Sequence, residues 1–150
     1  MHTHQRIHTP SMDQVMAHTA DASIDMVLAN HHWAAVAGHK SRVKQTEDAM
    51  VSNRKSMKDY DRAAEKYSRL ADWSHLSEAE RAKAKLNSDE TRTMAEKHQA
   101  EYNRLSSKKA YHNYHIDAHS DQARFYDKQS TSNRVLAWFR SPPKSGKPPA

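Results

Sequence analysis

The chain has 150 residues, enough for one domain of ordinary size. Only 36% are hydrophobic, against ~45–50% in typical globular domains, and glycine occurs twice and cysteine not at all. With a mean hydropathy of -1.08, this composition disfavours a turn-rich fold around a thick core, and it excludes disulfides, thiol catalysis and Cys-based zinc sites.

The net charge is +6 with histidine neutral, and it is uneven. Residues 1–50 carry 4 basic against 5 acidic side chains, residues 51–100 carry 11 against 9, and residues 101–150 carry 9 against 4. The excess therefore sits in the C-terminal third, where an acidic protein or a nucleic acid would be met. No run of ~18 apolar residues exists, so no transmembrane segment is expected. The N-terminus lacks the basic region and apolar core of a secretory signal. Cytoplasmic residence is the default expectation, with export by a non-classical route left open.

In chain order, residues 1–10 read as a flexible, His-rich leader. Ser11, three residues before Gln14, forms a capping-box pattern that opens a helix near Met12. An apolar cluster follows (Ile24, Met26, Val27, Leu28, Trp33, Val36), and then Gly38, which the helix is expected to pass with at most a slight bend.

From Val36 every seventh residue is small or apolar: Val43, Met50, Met57, Ala64 and Ala71. Three places on lie His39, Thr46, Asn53, Tyr60 and Tyr67, so the stripe is the half-polar seam of a long helix. Its outward positions mix charges of both signs at helical spacing, which describes a solvated face.

Ser74 to Leu76 breaks the pattern, and Ser77 with Glu80 is a second capping box. A short helix to about Lys85 and a cap at Asn87-Ser88-Asp89 would make residues 74–89 the tip of a hairpin. The second long helix carries a matching seam through Ala95, His98, Tyr102, Leu105, Lys109, His112, Ile116, His119, Ala123 and Tyr126. Folding about that tip sets Ala64 against Tyr102 and Asn53 near His112. Ser130 to Asn133 reads as an interruption before a last short helix over residues 134–140, and residues 141–150 form a Pro-rich tail.

The fold expectation is all-α: a long antiparallel two-helix hairpin over residues 11–140, coiled-coil-like, with short additional helices near the chain ends. Such a hairpin gathers Ile24, Val27, Leu28 and Trp33 beside Leu136, Trp138 and Phe139 at its open end. These seven side chains form either a small local core or a partner-binding patch.

Three chemical readings remain. His112, His115 and His119 recur at helical spacing and could share a face for Zn²⁺, Ni²⁺ or Cu²⁺. No glutamate completes a His-Glu-x-x-His pattern, however, and the plainer reading puts His112 and His119 in the seam, bonded to Asn53 and Thr46. Arg104, Lys108, Arg124, Lys128, Arg134 and Arg140, interleaved with tyrosines, could follow a phosphate backbone while rings stack on bases. Acidic neighbours at Asp117, Asp121 and Asp127 break that stripe, and no nucleic-acid-binding motif is present.

Catalysis has no support: there is no nucleophile elbow, no phosphate-binding glycine loop and no paired acids in an apolar pocket. No cofactor is implied. In outline, a basic, cysteine-free helical hairpin of this length resembles the small coiled-coil stalk and chaperone proteins of bacterial secretion machines. The leading expectation is a non-enzymatic interaction protein (an assembly, chaperone or adaptor component) that binds another protein or itself. Nucleic-acid binding through the C-terminal third is the alternative.

Overall fold

The computed structural model describes residues 12–140; the leader, Ser11 and the Pro-rich tail lie outside the described residues. Two helices account for nearly all of it: α1, Met12–Ala71, and α2, Glu78–Arg140. They form an all-α helical hairpin without a strand among the described residues. No proline falls between positions 11 and 141, so no backbone N–H is missing from either helical ladder.

The turn is short. Asp72 N–H donates to the Arg69 carbonyl and Trp73 N–H to the Leu70 carbonyl, both at 3.2 Å, which closes α1. Ser77 and Glu80 then form the expected reciprocal box. Glu80 N–H donates to Ser77 Oγ at 3.2 Å, and Ser77 N–H donates to Glu80 Oε2 at 3.4 Å.

That box opens the whole of α2 rather than a short helix, which corrects the expected tip. Asn87-Ser88-Asp89 lies inside α2 and caps nothing. Ser88 is buried, and its hydroxyl donates to the Ala64 carbonyl at 3.1 Å. The expected break at residues 130–133 is helical for a similar reason, since Ser130 is buried and donates to the Ala22 carbonyl at 3.0 Å. Small hydroxyl residues that look like caps here serve as packing residues that let backbones approach. α1 also runs uninterrupted through Gly38, so separate short helices are not found among the described residues.

Moving the turn forward slides the register by two heptads. Ala64 meets Ser88 instead of Tyr102, and Asn53 meets His98 instead of His112. The seam positions keep their phase, because a shift by whole heptads brings the same stripe back into contact.

The chain divides into two compact units. Of the described residues, one holds 12–38 and 115–140, and the other 39–114. In the second unit the buried seam contains Thr46, Ala64, Ala84, Ser88, Ala95, Leu105 and His112. In the first it contains Ala22, Ala29, Val36, Ser120, Ala123 and Ser130. Apart from Leu105, His112 and Val36, both interiors are therefore built of alanine, serine and threonine. Side chains this small bury little apolar area, and at ~25 cal/mol per Å² they stabilise a helix pair only modestly.

Candidate functional site

Two features stand out: apolar side chains exposed on the first unit, and imidazoles that pair across the helices within each unit.

In that unit the large apolar side chains lie outside the core. The seam positions of α1 are Ala22, Ala29 and Val36, and Ile24 and Val27 project from the opposite side of the helix. They are 58% and 68% exposed. Met16 and Met26 are exposed as well, as are Phe125, Leu136 and Phe139 on α2, and Phe139 is 72% exposed. Leu28 and Trp138 are half-buried. Trp138 lies edge-on to Phe139, with centroids 4.7 Å apart. Trp33 is anchored at its polar end, where the indole N–H donates to Asp127 Oδ2 at 2.8 Å. Of the seven apolar residues that the sequence singled out, none is in the buried core.

Charge is scarce on this part of α1. Between Gln14 and Gly38 there is no lysine or arginine, and the acidic residues are Asp21 and Asp25. Asp25 is engaged, since its Oδ2 accepts from Asn133 Nδ2 at 3.0 Å. A surface-exposed helix ordinarily carries charges on its outer face, and this one does not.

The histidines of the seam pair across the helices. In the first unit, His32 Nδ1 stands 2.9 Å from His119 Nδ1, and the His32 ring stacks parallel on Tyr126 with centroids 5.7 Å apart. His31 packs edge-on against His32 at 5.3 Å. Partial burial, reinforced by the charge that His119 and His31 would carry, holds the His32 imidazole below its ordinary pKa. In the second unit, His39 Nδ1 is 2.8 Å from the Nδ1 of the buried His112. His98 Nδ1 is 2.8 Å from Asn53 Oδ1, and Tyr60 stacks on the His98 ring at 5.5 Å. Two facing Nδ1 atoms form a hydrogen bond when one carries the proton and the other offers its lone pair.

Of the metal candidates, His112 thus turns to His39, and His119 turns to His32 rather than to Thr46. Thr46 donates to the Arg42 carbonyl of its own helix. The His115 and His119 rings are 6.1 Å apart on one face of α2.

The basic candidates fall in both units. Arg104 makes two bonds to Glu101, at 2.6 and 2.9 Å, and the contact lowers the Glu101 pKa. Arg124 lies 3.6 Å from Asp121. Lys108, Lys128 and Arg134 are exposed, and the Arg140 side chain lies outside the described residues.

The sequence held a further signal that starting the stripe at Val36 leaves out. The series continues upstream in phase through Ala29, Ala22 and Val15, and its companion through His32, Asp25 and His18. Extending it would have placed His32 in the seam. It would also have put Ile24 and Val27 outside.

No family model, curated protein or solved structure matches the chain.

Proposed function

We propose that the chain is a non-enzymatic helical interaction protein, an assembly, chaperone or adaptor component, that docks through the apolar surface of the first unit. One observation carries the reading: this unit packs its interior with alanine, serine and a single valine, Val36, and leaves Ile24, Val27, Leu136 and Phe139 exposed. Ile24 and Val27 share a helix face that carries no lysine or arginine, and large apolar side chains left in water there mark a surface that a partner covers. The seam they leave behind is thin, so covering them also stabilises the hairpin.

The partner is expected to be another protein, or a second copy of the chain, with an apolar face of its own. Purifying the tagged protein gently from its own cells, then identifying co-purifying material by mass spectrometry and ultraviolet absorbance, tests the reading. A stoichiometric protein that survives high salt, and is lost with Leu136→Glu and Phe139→Ser, supports it. Nuclease-sensitive material that high salt removes would replace it with nucleic-acid binding, since phosphate contacts weaken steeply with salt.

A further inference from the structure

The outward face of α1 in the first unit carries a second seam. Ala20, Ile24, Val27, His31, Ala34 and Gly38 alternate spacings of four and three, as the buried seam does. All six are exposed. They lie on the side of the helix opposite Ala22, Ala29 and Val36.

We infer that this face pairs with the same face of a second copy of the chain, antiparallel and about a two-fold axis at the level of Ala29. The inference rests on the reading of this unit as an interaction surface and names its occupant.

Three observations select a second copy. First, the order of side chains suits its own reversal. With one helix inverted on the other, Ala20 meets Gly38, Ile24 meets Ala34 and Val27 meets His31. Each layer sets a larger side chain against a smaller one or two small ones together, and the three layers share one register. A two-fold interface needs this self-complementarity.

Second, the face is electrically neutral enough to meet itself. Asp21 is the one charged residue beside it, and in this register it meets Ala37 rather than another acid. A partner chosen by opposite charge would leave a charged row on this face, and none is there.

Third, nothing among the described residues accounts for Gly38. A Cβ built there would meet no atom within 4 Å, so its own fold does not need the missing side chain. Glycine in a helix interior costs ~1 kcal/mol relative to alanine. In the paired arrangement it lets a second backbone come close.

Sedimentation equilibrium of the full chain tests the pairing. The expected mass is twice 17.2 kDa at micromolar concentrations and above. Val27→Glu and Ile24→Glu should each weaken dimerisation about tenfold or more, and Val51→Glu, equally exposed but in the other unit, should leave it unchanged. Circular dichroism of each variant checks that the helices remain. Because the chain has no cysteine, a second measurement is clean. Mixing Val27→Cys chains with His31→Cys chains should give a crossed disulfide in preference to either homodimer.

A chain that stays monomeric at high concentration overturns the inference, as does a dimer indifferent to Val27→Glu. Preferential Val27→Cys homodimers overturn the register. A monomer that still binds a different protein through Leu136 and Phe139 overturns the dimer and leaves the proposed function standing.

Discussion

Ser130 donates its hydroxyl to the carbonyl of Ala22 at 3.0 Å, and Ser88 does the same to Ala64 at 3.1 Å, a whole number of heptads away. In each unit a buried serine thus touches the opposite helix at its backbone, which sets how closely the two helices can pack. The carbonyl keeps its own helical partner, so the serine's size matters more than its bond. Ser130→Ala should cost about 1 kcal/mol or less, the net worth of one hydrogen bond. Ser130→Leu should cost about 1–3 kcal/mol by forcing the helices apart. Urea unfolding followed by circular dichroism measures both, and a neutral Ser130→Leu would mean that the helices do not approach closely here.

The register follows from the same contacts and can be trapped. An Ala64→Cys, Ser88→Cys variant should close an intramolecular disulfide under mild oxidation, because the Ser88 hydroxyl already reaches the Ala64 backbone. Ala64→Cys with Tyr102→Cys should not close. If the second pair formed and the first did not, the turn would have to lie nearer residue 83 than residues 72–77.

That contrast shows how far the sequence could be read. The seven-residue repeat from Val36 to Ala71 predicts a long helix with one contact stripe, and the same stripe is in contact in the structure. Register is another matter. Ser77 with Glu80 and Ser88 with Asp89 both look like helix starts, and which one opens α2 depends on packing that no local pattern encodes. Once Ser88 can be buried against Ala64, the cluster at residues 87–89 is worth more inside a helix than as its cap. The apolar cluster at residues 24–36 was legible as a cluster. Whether it lies inside or outside depends on which heptad positions it occupies, and reading the stripe upstream through Ala29 and Ala22 answers that.

The His32–His119 contact predicts a pH dependence with a definite sign. His32 holds its proton less tightly in the folded chain than in the unfolded one, where its pKa is near 6.5. Stability from this group is therefore complete above about pH 6.5 and falls as the pH drops through that value toward the lower folded pKa. His119, His31 and Tyr126 face it, and the two imidazoles oppose a new positive charge on His32. The thermal midpoint should fall between about pH 7.5 and about pH 5.5. His32→Gln should reduce that fall. A midpoint equally pH-dependent in wild type and His32→Gln would assign the effect to other histidines of the seam.

Gly38 separates what the single chain prefers from what the pair prefers. In an isolated helix pair, Gly38→Ala meets open space and should stabilise by ~0.8–1.0 kcal/mol through helix propensity alone. In the antiparallel dimer the same methyl points at the backbone around Ala20 of the second copy, where room is limited. The gain should therefore appear in full in dilute solution, where monomers dominate, and shrink or reverse as concentration rises. Thermal midpoints of wild type and Gly38→Ala over a wide concentration range measure this. A gain that holds constant across the range would show that no second backbone comes near residue 38, and would confine any self-association to Ile24 and Val27.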